Sequence, residues 1–504
     1  MTDNRMGWKD LFDLKRKDIN ALHKTWFAFF LTFFVWFNMA PLVTTIVKQS
    51  GFTMEQFKIL AICNVALTVP GRLLVGMISD RIGPRRTFSG VMVVMSIPAL
   101  VFAFGTTYTQ LLISRLLLSM VGTGFVVGIH MTSLWFKPRD IGFAQGVEAG
   151  LGNWGSSIAA IVLPFFALNI FGGIFGAENG WRVSLAISAI AMLAYGIFYW
   201  FAITDGPAGI VIHRTKKAAA IEVSTWMDMI GAIIWTIPVI GILAVLTWKI
   251  QGTGFMSPEA AGIAYFVIAL IVLYQVIQIV RVNVPTLKMG VPKDDHYRFT
   301  DVACLCACYV ATFGAELGVI SMLPTFFQKS FNLSSQMAGL IGSVFAFLNF
   351  FSRALGGYIS DRMPSRRWTM LAYLAGTSLT FYLMGLISPS WPLGLAVGVT
   401  LLCALFVTGG CGTTYALVPL IKRRITGQIS GYVGAYGNVG AVLYLTVYTF
   451  VNDSQFFWFI AATGFATFVF CLFFLKEPKG AFAQEYQLSS VDKLLLATGE
   501  VKGK

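Results

Sequence analysis

The sequence predicts an all-α, polytopic membrane protein, and three observations carry that prediction. Apolar stretches of 20 or more residues recur from Trp26 to Leu475. Only 12% of residues are charged, against 56% hydrophobic, whereas soluble domains carry about 25% charged residues. The remaining charges gather between the stretches. Each stretch is long enough to cross a hydrocarbon core of about 30 Å. The runs are continuously apolar rather than alternating, which excludes a β-barrel. A soluble chain of this length would instead divide into domains joined by polar linkers.

In chain order, the expected spans are 25–47, 57–79, 87–106, 110–135, 142–170 and 182–204, then 226–248 and 259–281. The last six are 299–327, 335–360, 368–388, 391–421, 427–451 and 455–475, which makes about 14 transmembrane helices. The expected organisation is a cytoplasmic tail 1–24, a six-helix bundle 25–204, a segment 205–298 with two further helices, a six-helix bundle 299–476 and a tail 477–504. Lys and Arg set the orientation. With the N-terminus inside, 29 of the 37 fall on the cytoplasmic side and five on the other. Both termini are therefore expected in the cytoplasm.

The formal net charge of +14 would suggest nucleic acid in a soluble protein. Here the basic residues mark topology, so no nucleic-acid partner is expected. The segment Met1 to Lys24 lacks the apolar region and cleavage site of a signal peptide. Cys304, Cys306 and Cys308 form a C-x-C-x-C run without a nearby His or carboxylate cluster, which favours packing over a metal site. No metal or cofactor is expected. No nucleotide loop or nucleophile constellation points to an enzyme.

The chain repeats internally. Arg72, Gly76, Ser79, Asp80, Arg81, Arg85 and Arg86 recur as Arg353, Gly357, Ser360, Asp361, Arg362, Arg366 and Arg367, at a constant offset of 281. Gly146, Gly152, Asn153 and Gly155 recur as Gly431, Gly437, Asn438 and Gly440, at an offset of 285. Two homologous six-helix halves, both starting inside, are parallel repeats about an axis along the membrane normal. The helix pair 226–281 is then an insertion, and an even number preserves the topology of the later helices.

The run Gly76-x-x-x-Asp80-Arg81-x-Gly83-x-Arg85-Arg86 resembles the signature of the major facilitator superfamily, with a weaker copy at Asp361 and Arg362. The resemblance implies a major facilitator fold. It also implies a gating role, in which Asp80 caps or pairs at a helix end and the Arg cluster pairs with the opposite bundle. The alternative for the cluster is positive-inside anchoring. Two glycine-rich segments, with Gly150, Gly152, Gly155 and Gly434, Gly437, Gly440, resemble the paired signatures of the nitrate/nitrite porter family. Phe34 to Pro41 and Ser133 to Pro138 resemble the same family. Spacing of three lines small residues along one ridge, where helices approach closely. Packing alone does not explain Asn153 and Asn438, because an intramembrane amide needs a partner.

Arg72 and Arg353 each lie eight residues before an aspartate, about 12 Å along a helix, near the bilayer midplane. An Arg there costs roughly 2.5–3.5 kcal/mol, and two at symmetric positions point to function. Each presents a planar fork of donors. Nitrate is planar and monovalent, so both forks can hold it edge-on. The resemblance makes Arg72 and Arg353 anion clamps and the Gly-Asn segments flexible walls. Trp36 is expected to help form a narrow apolar slot. The empty site is expected to be net positive. The intramembrane acids Glu148 and Glu316 are candidates for proton coupling, Glu316 the more so, with an interhelical hydrogen bond as its alternative. Arg115 and His130 read more simply as packing residues.

The resulting expectation is a monomeric secondary transporter of the inner membrane. It takes up nitrate, with nitrite as a second substrate, by proton symport. Alternatives are nitrate/nitrite exchange, transport of another small anion such as an organic acid, and a non-transporting nitrate sensor.

Overall fold

The computed structural model describes residues 5–207, 220–252 and 254–497. Arg214, Lys216 and Lys217, counted above as cytoplasmic, lie outside the described residues. The ordered elements among the described residues are helical. The first half comprises α1 (Lys17–Trp36), α2 (Val43–Ser50), α3 (Met54–Ala66), α4 (Thr68–Ile82), α5 (Pro84–Phe104), α6 (Tyr108–Leu118), α7 (Gly124–Trp135), α8 (Ile141–Phe165), α9 (Gly172–Phe175) and α10 (Ala177–Ala202). The inserted pair is α11 (Trp226–Gly252) and α12 (Pro258–Met289). The second half comprises α13 (Phe299–Tyr309), α14 (Ala315–Phe331), α15 (Ser335–Arg362), α16 (Arg366–Gly385), α17 (Leu393–Ile421), α18 (Thr426–Tyr448) and α19 (Asp453–Phe474), followed by a short α20 (Ser490–Ala497).

Twelve stretches among the described residues are long and apolar enough to span a membrane. The other two expected spans are the full-length helices α16 and α18, of 20 and 23 residues, whose polar Thr, Ser, Tyr and Gly residues lower their hydropathy. α1 starts at Lys17, inside the segment expected as tail. It stops at Trp36, mid-span, where its last carbonyls lose their helical partners. Arg115 takes over that role. Its Nη2 donates to the Trp36 carbonyl at 2.6 Å and its Nη1 to Asn38 Oδ1 at 3.1 Å.

Two segments widen into π-helix, Phe166–Phe171 after α8 and Val310–Gly314 between α13 and α14. Such turns often accompany functional sites. Cys304, Cys306 and Cys308 are buried, and Cys308 Sγ lies 3.4 Å from Cys471 Sγ.

The halves meet along two symmetric helix pairs, α4 with α18 and α8 with α15. Glycine makes this approach possible. A Cβ at Gly76 would fall on the Gly427 carbonyl, and one at Gly357 on the Gly142 carbonyl. At the end of each pair an aspartate crosses between halves. Asp80 accepts the amides of Gly427 and Gln428, both at 2.8 Å. Asp361 accepts those of Gly142 at 2.9 Å and Phe143 at 2.6 Å. Each carboxylate thus caps the first turn of a helix in the other half, a contact worth about 0.5–2 kcal/mol.

The inserted pair stands to one side. α11 packs on α13 and α18. Thr236 and Tyr432 share a hydroxyl bond of 2.6 Å, and Tyr436 donates to the Trp235 carbonyl at 2.6 Å. α12 exposes much of its apolar length, including Phe266, Leu273 and Tyr274.

Candidate functional site

Arg72 on α4 and Arg353 on α15 are both fully buried at 0% exposure. Arg72 reaches into the other half, where its Nη1 donates to the carbonyl of Gly434 on α18, and its Nε bonds the Gly122 carbonyl at 3.4 Å. Arg353 donates from Nη2 to Glu316 Oε2 at 2.9 Å, and from Nε to Asn349 Oδ1. Asn349 in turn donates to the other Glu316 oxygen.

One aromatic ring joins the two arginines. The Arg72 Cζ lies 5.7 Å from the Phe313 centroid, and the Arg353 Cζ lies 5.3 Å from the same centroid. The two guanidiniums are therefore no further apart than the sum of these distances. Arg72 also lies 5.3 Å from the Phe125 ring. Tyr309 stacks on Phe313 at 4.9 Å and 4°, while Tyr415 meets Tyr309 edge-on at 5.0 Å and 84°. Tyr309 precedes the π-helical turn and Phe313 lies within it. Each cation–π contact contributes about 0.5–2 kcal/mol.

The cluster is incompletely bonded. Arg72 Nη2, Arg353 Nη1 and the Tyr309 hydroxyl make no hydrogen bond of normal geometry among the described residues, although the Arg353 side chain and the Tyr309 hydroxyl lie close enough to interact with each other. A buried donor left without an acceptor costs about 1–3 kcal/mol, more if charged, and arginine does not shed its proton. Buried donors of this kind beside aromatic rings have the chemistry to accept a small flat anion.

The structure brings together Arg72, Arg353, Glu316 and Gly434, and moves several other expected residues away. Trp36 Nε1 donates to the Asn64 carbonyl at 2.6 Å, and its ring packs against Gly122, the residue whose carbonyl Arg72 bonds. The rings nearest the guanidiniums are Phe313 and Phe125, with Tyr309 and Tyr415 packed on them. Asn153 bonds the Ala149 carbonyl of its own helix at 2.7 Å, which is its intramembrane partner. Asn438 is buried with neither amide atom bonded among the described residues.

The glycine ridges split between two neighbours. Gly150 faces the Phe350 carbonyl across the halves, but Gly152 and Gly155 meet Phe29 and Phe30 of α1. Likewise Gly434 faces Arg72, whereas Gly437 and Gly440 meet Tyr309 and Val310 of their own half. An α-helix turns 3.6 residues, so the face toward the other half runs at spacings near four, through Gly142, Gly146 and Gly150, and through Gly427, Gly431 and Gly434.

The first copy of the gating motif does not bridge the halves through Arg85, whereas the second copy crosses, through Arg362 to the N-terminal segment and through Arg366 to Pro138. Arg85 stays in its own half, with its ring contact on Trp200 at 5.7 Å, while Arg81 and Arg86 are exposed. Arg362 stacks on Tyr358 at 3.6 Å and bonds the Met6 carbonyl. The aspartates cross as well, and Arg366 pairs with Asp361 and donates to the Pro138 carbonyl at 2.7 Å. His130 bonds Ser79 at 2.8 Å, beside Asp80.

The expected uncompensated positive charge is reduced, since Glu316 forms an ion pair with Arg353. Glu148 is buried on α8, within electrostatic range of Arg353. Sequence reasoning missed Phe313, Tyr309, Phe125, Tyr415 and Asn349. Among 44 Phe and 16 Tyr, only the i, i+4 spacing of Tyr309 and Phe313 hinted at a shared face.

A family model described as Major Facilitator Superfamily matches residues 25–286 and 305–497. The chain is 40% identical to a nitrate/nitrite transporter of a Picosynechococcus species, over 92% of this chain and 94% of that protein. It is 41% identical to a nitrate/nitrite transporter of Nostoc punctiforme, over 95% and 96%. A high affinity nitrate transporter of Arabidopsis thaliana is 25% identical over 88% and 76%. Among solved structures, the proton:xylose symporter XylE aligns with a TM-score of 0.61 at 14% identity, over 92% of this chain and 97% of that one. The Escherichia coli fucose:proton symporter FucP aligns at 0.60 and 12% identity, over 92% and 100%. These two likenesses concern the fold.

Proposed function

This chain belongs to the major facilitator superfamily and, within it, to the nitrate/nitrite porter family, and on that premise we propose that it moves nitrate across the membrane by alternating access. One observation carries the reading. Two symmetry-related arginines, one from each half, approach a single phenylalanine ring, and each keeps a terminal nitrogen with no hydrogen bond of normal geometry among the described residues. A planar monovalent anion matches that arrangement in shape, charge and acceptor number. The names of the relatives support nitrate and nitrite as substrates. The Asp80 and Asp361 contacts support rocking of the halves, because both close the same end and both break if the halves part there.

Net uptake by proton symport is the preferred coupling, in a monomer of the inner membrane with both termini cytoplasmic. The asymmetry of Lys and Arg supports that orientation. Nitrate/nitrite exchange is the second reading, favoured by the names of the Picosynechococcus and Nostoc relatives. Purified protein in proteoliposomes, given labelled nitrate outside and an inward proton gradient, is expected to accumulate nitrate against its gradient. Uptake only when nitrite is loaded inside would establish exchange instead. Binding without movement in either format would identify a sensor.

A further inference from the structure

Sequence reasoning favours Glu316 as the acid for coupling, but its carboxylate is already committed. It holds Arg353 through Oε2 and receives Asn349 through Oε1, with Cys411 Sγ 3.7 Å from Oε2. Glu148 is placed differently. It is fully buried at 0% exposure, and neither oxygen has a hydrogen-bond partner among the described residues. Its carboxyl occupies the space that a side chain at Gly128 on α7 would need.

The helices packed against α8 carry, among other charged or titratable groups, Lys24 on α1, His130 on α7, Tyr199 on α10, Arg353 and Asp361 on α15, and Tyr415 on α17. Lys24 bonds the Ala202 carbonyl, His130 bonds Ser79, and Asp361 pairs with Arg366. Arg353 and Tyr199 interact electrostatically with Glu148.

Resting on the nitrate reading above, we infer that Glu148 is the residue that carries the coupling proton, and that one proton and one nitrate cross together without net charge. Within the cluster Arg72, Arg353 and Glu316 leave one positive charge, while the buried Arg115, held by the Trp36 carbonyl and Asn38, keeps its charge in every state. An anionic Glu148 cancels the cluster's charge, so the empty cluster is neutral and can reorient. A proton from the outer water, bound to a Glu148 oxygen, restores the positive charge, and nitrate then neutralises it. The fully loaded cluster is neutral again. Carriers holding only the proton or only the anion keep an unpaired buried charge, which opposes their movement. Obligatory coupling follows from charge balance, with no direct contact between proton and nitrate. On the inner side nitrate leaves and Glu148 returns the proton to water.

The test compares wild type, E148Q and E148D in proteoliposomes, with the potential clamped by potassium and valinomycin. Wild type is expected to accumulate nitrate down a proton gradient at a rate nearly independent of voltage. Movement of one net charge would change it up to roughly fortyfold per 100 mV. E148Q fixes the positive charge, so nitrate counterflow persists while proton-driven accumulation falls at least about tenfold. E148D retains accumulation. The inference is overturned if E148Q accumulates nitrate like wild type, if wild-type uptake is strongly voltage-dependent, or if monodisperse E148Q loses counterflow as well. Wild type that moves no nitrate overturns the transport reading and this inference with it. Equal accumulation by wild type and E148Q overturns this inference alone.

Discussion

Asp80 accepts the amide of Gly427 at 2.8 Å, joining residues 347 apart in sequence across the boundary between the halves. Asp361 repeats the contact on Gly142. The pair forms a two-point latch at one end of the molecule. D80N and D361N each remove a charged cap worth about 0.5–2 kcal/mol. Each variant is expected to widen the distance between spin labels at the exposed positions Arg86 and Trp368, and the double variant more so. An unchanged distance distribution in the double variant would show that the latch does not set the conformation.

The arginine forks lead to a second prediction. R72K and R353K each keep the charge but lose planar donors, and charge-assisted hydrogen bonds are worth about 1.5–3 kcal/mol. Nitrate affinity is expected to fall between about tenfold and about a hundredfold in each. Isothermal titration on purified variants measures this directly, and near-normal affinity in both would remove the clamp.

Glu316 supports Arg353 rather than standing free. E316Q leaves a buried guanidinium without its counter-charge, a change that costs about 3–5 kcal/mol in buried pairs. The variant is expected to melt earlier than wild type. Saturating nitrate should raise its melting temperature by more than it raises that of wild type, because the bound anion replaces the missing charge. Equal shifts in the two proteins would argue that the anion does not reach Arg353.

The glycines separate into two classes. G76L and G357L place a side chain on a backbone carbonyl of the other half, so they are expected to hold the latch end open and stop transport in folded protein. G152L instead meets Phe29 within one half. There the expected result is loss of stability by about 1–3 kcal/mol, as for overpacking, with label distances unchanged. Identical behaviour of the two classes would erase the distinction.

The inserted pair bonds α18 through Thr236 and Tyr432. T236V removes a bond worth about 0.5–1.5 kcal/mol and is expected to lower thermal stability while retaining uptake. Loss of uptake at normal stability would place the pair in the transport cycle.

Legible in the sequence alone were the spans, the two-fold repeat, and the positions of Arg72, Arg353, Asp80 and Asp361 along their helices. These follow from hydropathy and from position along one helix, which are local properties. The sequence also marked Glu316 as a functional acid without showing what it faces. Tertiary structure decided that Glu316 pairs with Arg353, that both guanidiniums approach the one Phe313 ring, and that Trp36 donates its indole N–H to the Asn64 carbonyl. It also divided the glycine ridges between two neighbours. Those outcomes depend on how each helix is rotated about its axis. The π-helical turn Val310–Gly314 changes the helical phase between α13 and α14, so residues before and after it do not share the face that a regular 3.6-residue repeat assigns them. The break after Trp36, held by Arg115, likewise reorients the chain beyond α1. Rotation is fixed by packing against helices hundreds of residues away, and no local pattern encodes it.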